Sequence, residues 1–266
     1  MTGVQTTLPG TDPELVAALR SIARTPQLLV ACDFDGTLAP FVDDPEDARP
    51  TPEARVAMAE LGRLPQTTLA LVSGRDVASL QRVAAPPDGT VLIGSHGAES
   101  NVDGLDELTL TGEETAQLRA LRERLESVVA GFAGARLEHK PAGVALHTRG
   151  LGAAESVAAQ RAGVDSVEEL GGGFTVRDGK SVVEFSVRTE TKGDAIRRLA
   201  QSVAATATFF AGDDVTDEDA FAALGASDVG VKVGGGATSA RYRVADIPEL
   251  VRVLDFLAAE RAADVC

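Results

Sequence analysis

Residues 28–38, LLVACDFDGTL, end an apolar run in two carboxylates, Asp33 and Asp35, set one residue apart. A run this short reads as a buried parallel strand rather than a helix. Side chains alternate along an extended chain, so Asp33 and Asp35 share one side of it. Gly36 then breaks the strand, and Thr37 adds a hydroxyl within reach of whatever the carboxylates hold. Ligands of open α/β sheets gather at the carboxyl ends of strands, which puts the pair at the mouth of a cleft. Two buried carboxylates repel unless a proton or cation offsets them, and a hard divalent ion is the natural solution. A lone D-x-D-G is more often ordinary strand-end and turn chemistry. A calcium loop fits poorly, because Leu38 stands where its glycine should be and Asp44 where its bidentate Glu should be.

Other strand ends bring further polar groups. Ser73 follows the second apolar run, Lys192 opens a helix, and Asp213, Asp214 and Asp217 follow a later strand. Together they hold what a phosphoryl group requires: charge to neutralise its oxygens, hydroxyls to orient it, and a cation for charge developing during transfer. Singly they are weaker signals. Ser73 and Thr37 are undecided alone, and Asp213 could be a helix cap, although Asp214 beside it favours the metal reading. A lysine in a first helical turn opposes the helix dipole, which argues that Lys192 is there for function.

The elements that must position these groups follow a recognisable rhythm. A helix over 13–24 leads into the first strand; a Pro- and Asp-rich excursion follows, then a helix over 52–64, a strand over 68–72 ending in Ser73-Gly74-Arg75, and a strand over 90–93 before GSHGAE. This is the pattern of a doubly wound, Rossmann-like parallel sheet. Near Asp103 the rhythm changes to helix 113–130, strands 135–139 and 143–148, helix 153–162, and strands 174–176 and 181–186 with a D-G hairpin turn at Asp178-Gly179. From Thr191 the first rhythm resumes with helix 192–203, strand 207–211, a helix opened by GDDVTDEDAF, strand 228–233 and helix 248–262. The expected organisation is an α/β core over 1–103 and 188–266, interrupted by an α/β insert over 104–187 that contains an antiparallel sheet.

The chain has 266 residues, long enough for one large domain or two modest ones. With 44% hydrophobic residues, 4% aromatic and no Trp, its core must be built from Ala, Val and Leu. A formal charge of −15 argues against a general binder of nucleic acid or anionic membrane, so positive charges for an anionic ligand must be local. No run of eighteen apolar residues occurs, and residues 1–10 lack signal-peptide features, so a soluble cytoplasmic monomer is expected. Cys32 and Cys266 suggest no disulfide framework, and Cys32 reads as a small apolar filler.

The order DFDGT, S-G-R, Lys192 and GDD resembles the haloacid dehalogenase (HAD) superfamily of aspartate-nucleophile phosphatases. Within it, GSHGAE, the E-x-K of LEHK, the H-x-R of LHTR, Lys180 to Glu184 as K-x-x-x-E, T-K-G-D and GDDVTDEDAF together resemble the trehalose-6-phosphate phosphatase family. The resemblance implies a HAD core with a cap inserted after the third core strand, Mg²⁺ as cofactor and trehalose 6-phosphate as substrate. It implies that Asp33 is the nucleophile, forming an aspartyl phosphate, and that Asp35 protonates the leaving sugar oxygen and later deprotonates water. Mg²⁺ would take Asp33, the backbone carbonyl of Asp35 and Asp213, with Asp214 on a bound water. Thr37, Ser73 and Lys192 would contact phosphate. Glu138, Lys140, Lys180 and Glu184 would bind the sugar, with Arg75, His96 and Gly97 on core loops; from spacing alone the cap residues fit a solvated strand face equally well. His139 and His147 read as surface or packed histidines, and Arg149 equally as a surface arginine or as one that contacts phosphate or substrate. One departure stands out: the family's Arg-Pro pair after the cap Glu is absent, Glu184 being followed by FSVRTETKGD, so Arg188 is left to supply that charge at another offset. The alternatives are a phosphatase of another sugar phosphate, such as sucrose phosphate, and a catalytically silent sugar-phosphate-binding protein.

Overall fold

A computed structural model describes residues 8, 10–102, 110–179 and 181–264. Lys180, Cys266 and the change of rhythm at Asp103 therefore lie outside the described residues. Helix α1 (Pro13–Ala23) starts where Asp12 accepts from the Glu14 amide at 2.8 Å, with proline in the first turn where no N–H is needed. Then come β1 (Leu28–Cys32), α2 (Pro52–Leu61), β2 (Thr67–Val72), α3 (Val77–Ala84), β3 (Val91–Gly94) and the short β4 (Glu99–Ser100). The insert contributes α4 (Gly112–Val129), β5 (Arg136–Lys140), β6 (Gly143–His147), α5 (Ala153–Glu168), β7 (Thr175–Gly179) and β8 (Val182–Ser186). The chain finishes with α6 (Lys192–Ser202), β9 (Ala207–Gly212), α7 (Glu218–Ala223), β10 (Val229–Val233), β11 (Tyr242–Val244) and α8 (Ile247–Asp264). None of the helices among the described residues is long and apolar enough to cross a membrane.

Two compact units result, Met1–Asp106 with Thr191–Cys266, and Glu107–Glu190. In the first, the described strands run in the order β11-β10-β9-β1-β2-β3-β4, parallel except at β4. Strand β1 lies in the middle and is buried at every position, which is why it reads as an unbroken apolar run. Period-two alternation splits it between two cores. Leu28, Val30 and Cys32 join the layer built with α1, α2, α3 and α8, while Leu29 and Ala31 join Ala195, Ile196, Leu199 and Phe221 of α6 and α7. The chain leaves β1 toward β2 and β3 but returns on its other side as β9 and β10. The reversal at β1 and β9 is a topological switch point, the place where such sheets bind ligands.

In the second unit the described strands form an antiparallel sheet in the order β5-β6-β8-β7. Val144, Leu146, Val183 and Phe185 cover one face with Leu118, Leu121 and Leu125 of α4 and Val167 of α5. Two expectations are corrected here. Helix α5 runs on to Glu168 rather than stopping at 162, because Gly163 is a packing point and not a terminator: a Cβ there would lie 2.9 Å from Leu146 Cδ2 and 3.3 Å from Phe185 Cζ. The hairpin turn is also displaced. Asp178 and Gly179 sit inside β7, paired with Val183 and Val182, and the left-handed residue is Ser181, at φ +61°.

Arg188 serves the start of α4. Its guanidinium donates to Glu114 Oε1 at 2.9 Å and Oε2 at 3.2 Å, while Glu114 completes a capping box with Thr111. Arg188, followed by the Thr111 amide, holds the Glu114 carboxyl down at about 2. A depressed carboxyl stabilises the folded chain above its ordinary pKa of 4.5, and that contribution is lost as pH falls toward 2. Arg188→Met is therefore expected to be less stable than wild type at neutral pH, with the difference shrinking through that acid window in urea-melt measurements. A difference that does not change with pH would contradict the pairing.

Candidate active site

Asp33 continues the β1–β9 ladder, its amide donating to Ala211 O at 2.8 Å, so the backbone fixes where its carboxylate points. Lys192 Nζ donates to Asp33 Oδ1 at 2.8 Å and to Asp217 Oδ1 at 2.7 Å. All three groups are buried, with Lys192 at 2% exposure and Asp217 at 0%. Thr191 caps α6 in a reciprocal pair with Asp194, which sets Lys192 as the first residue of the helix. Gly193 then lets the backbones of α6 and α7 touch, since a Cβ there would lie 2.3 Å from Asp219 O. That contact brings Lys192 to Asp217.

Asp213 follows β9 and accepts from Thr37 Oγ1 at 2.9 Å. Gly36, at φ +83°, permits this approach: a Cβ there would sit 2.2 Å from Asp213 Oδ2. One oxygen each of Asp33, Asp213 and Asp217 lie within 4.8 Å of one another. Burial raises the Asp33 carboxyl well above its ordinary value against the pull of Lys192, and Asp217 and Asp213 raise it further. Asp213 is pushed up to about 6, first by burial and then by Asp217 and Asp214 against the pull of Thr37. Burial pulls the Lys192 ammonium down, but Asp217 and Asp33 outweigh it and hold the charge on. Three crowded carboxylates thus face one lysine. The oxygen-only, anionic donor set fits a hard divalent cation such as Mg²⁺.

The Asp35 carboxylate turns to Arg75, which grips it bidentately, Nε to Oδ2 at 2.6 Å and Nη2 to Oδ1 at 2.7 Å. Arg75, expected on the sugar, is thus engaged by Asp35, and it also stacks over Phe34 with 5.7 Å to the ring centroid. Ser73 Oγ accepts from the Arg75 amide at 3.2 Å. Asp214 is exposed, and its amide donates to Asp217 Oδ2 at 2.9 Å. Asp217 is the hub that joins Lys192 to the Asp214 backbone. Gly212 makes room for it, because a Cβ there would lie 2.3 Å from Asp217 Cγ. His96 and Gly97 sit in a left-handed turn at φ +57° and +114°. The imidazole lies where a Cβ on Gly74 would meet Cε1 at 2.6 Å, so the S-G-R and GSHGAE motifs interlock.

In the insert, the register aligns Glu138, Ala145, Glu184 and Arg177 in one row across the open face of the sheet. Lys140 Nζ donates to Glu184 Oε1 at 2.6 Å, passing over β6 where Gly143 and Ala145 offer no bulk. His147 Nε2 lies 2.7 Å from Glu138 Oε2, and this contact, with Lys140, holds the Glu138 carboxyl below its ordinary value against burial. His147 and Arg177 thus share the polar face. H-x-R spacing shows His147 only as one residue of a strand, and a charged pair two strands away is invisible to local pattern.

Residues 31–247 match the family described as trehalose-phosphatase. A trehalose-phosphate phosphatase of Mycobacterium ulcerans is 34% identical over 255 residues, covering 86% of this chain and 62% of that protein. A trehalose-6-phosphate phosphatase of Escherichia coli is 31% identical over 229 residues, covering 85% of this chain and 84% of that protein. A crystal structure of a trehalose-6-phosphate phosphatase related protein superimposes with a TM-score of 0.69 at 28% identity, covering 87% of this chain and 97% of that one. Some relatives are longer: the chain spans only 32% of a bifunctional synthase/phosphatase from Thermoproteus tenax, as against 62% of the mycobacterial protein.

Proposed function

Because the chain belongs to the trehalose-phosphatase family, we propose that it hydrolyses trehalose 6-phosphate to trehalose and phosphate with Mg²⁺ as cofactor. The observation that carries this reading is the buried Lys192 bridging Asp33 and Asp217, with Asp213 within cation-binding reach. An ionised Asp33 attacks phosphorus in line, breaking the bond to the sugar oxygen and forming an aspartyl phosphate. Asp35 turns out of the Arg75 fork, takes up a proton from solvent and gives it to the leaving oxygen, then takes a proton from the water that attacks the phosphorus and breaks its bond to Asp33. Phosphate leaves and the Asp33 carboxylate is restored. Lys192 offsets charge on the phosphoryl oxygens, and the Thr37 and Ser73 hydroxyls orient them. Mg²⁺ would be held by Asp33, the Asp35 carbonyl and Asp213, with Asp214 beside it, and supplies positive charge where phosphate charge gathers.

Sugar recognition belongs in this reading to Glu138, Lys140, Lys180 and Glu184, with Arg75, His96 and Gly97. Carboxylates and ammonium groups suit an uncharged polyol because each makes several hydrogen bonds. Lys140→Ala and Glu184→Ala are each expected to lower kcat/KM for trehalose 6-phosphate by about 100-fold, while lowering that for an aryl phosphate by less than about threefold. Equal losses on both substrates would place these residues in a structural role. Wild-type enzyme that treats glucose 6-phosphate and trehalose 6-phosphate alike would remove the substrate assignment itself.

A further inference from the structure

Strand β10 reads VGVKV and is buried at all five positions, yet its fourth residue is a lysine. Lys232 is only 3% exposed. A buried ammonium is strongly disfavoured over valine unless it is paired and hydrogen-bonded, so its contacts say what holds it there. Nζ donates to the backbone oxygen of Asp214 at 3.0 Å and lies 3.2 Å from Glu218 Oε1. Glu218 in turn accepts at Oε2 from the Ser239 amide at 2.6 Å and from Thr238 Oγ1 at 3.2 Å. The peptide that follows Asp213 and Asp214 is therefore pinned from the neighbouring strand, independently of their side chains. Lys232 stands opposite Gly212 in the β9–β10 register, immediately below the turn it holds.

We infer that Lys232 is a positioning residue for the cation site: by fixing the Asp214 carbonyl it holds the Asp213–Asp214 turn and so sets the affinity for a divalent cation. This rests on the Mg²⁺ reading proposed above. Its effect is positional rather than electrostatic, because the Lys232 charge is matched by Glu218 and the pair presents little net field to the site. A lysine that merely stapled β10 to α7 would alter thermal stability and leave cation affinity alone.

The test uses the full chain without substrate. Melting temperature is recorded in EDTA and then across a Mg²⁺ series, and the apparent Kd is read from the rise in Tm. Lys232→Met is expected to weaken Mg²⁺ binding by about tenfold, the lower end of what outer partners of metal ligands contribute. In turnover assays its KM for trehalose 6-phosphate at saturating Mg²⁺ should stay at the wild-type value. An unchanged Mg²⁺ dependence, within twofold, would overturn the inference, as would tighter binding. Glu218→Gln serves if Lys232→Met does not fold: it takes the charge from one of the two contacts that hold Lys232 and should weaken Mg²⁺ binding about threefold, whereas no change would again overturn the inference. Wild type whose Tm ignores Mg²⁺ would overturn the cation reading itself, and this inference with it.

Discussion

Asp33→Asn should turn over trehalose 6-phosphate at least about 10⁴-fold more slowly than wild type, the scale of loss when a covalent nucleophile is removed. The amide keeps the shape of the carboxylate and its place in the β1–β9 ladder, but it cannot attack phosphorus. Folding should not suffer. The Asp33 carboxyl is held far above its ordinary value by burial and by its acidic neighbours, so neutralising it relieves crowding in the cation-free chain. The variant is therefore expected to melt in EDTA no lower than wild type. Phosphate release within tenfold of wild type would exclude Asp33 as nucleophile.

Lys192→Met should have the opposite signature in stability. It leaves Asp33 and Asp217 buried side by side without the ammonium that bridges them at 2.8 and 2.7 Å. Removing one partner of a buried ion pair costs about 3–5 kcal/mol, and that is the loss expected at neutral pH in EDTA. Turnover should fall by about 10³-fold as well, because the cation that offsets phosphoryl charge is gone. Adding Asp217→Asn should restore part of the stability and none of the turnover, which separates the two roles. A single variant that melts like wild type in EDTA would show that the bridge contributes nothing to folding.

What could be read from the sequence is what lies within a few residues of a motif. Asp33, Asp35 and Thr37 share one strand end, Asp213 and Asp214 another, and their residue types alone point to a cation and a phosphoryl group. The sheet was legible for the same reason: β1 is apolar without a break because both of its faces are covered. What stayed hidden depends on pairs far apart along the chain. Asp217 shows no partner until Gly193 brings α6 against α7 and sets it beside Lys192. The Arg75 grip on Asp35 spans forty positions, and Lys232 is one charged letter in an apolar strand. Arg261 is a further case. It sits in an Ala-rich helix, yet it is buried and donates to the carbonyls of Ala23 and Gln66 at 2.9 and 2.7 Å. Gly163 lies just past the expected helix 153–162 but is a packing point inside α5, and Gly179 reads as a turn but lies within β7.

The central claim is that one site, built from Asp33, Lys192 and Asp213, releases phosphate from trehalose 6-phosphate with a divalent cation. Phosphate release by the wild-type chain, measured on that substrate with Mg²⁺ and again after chelation, tests it most directly. Rapid release with Mg²⁺ that stops with chelator and returns when Mg²⁺ is restored is the predicted result. Release that continues undiminished in chelator, or no release under either condition from a folded chain, would contradict it.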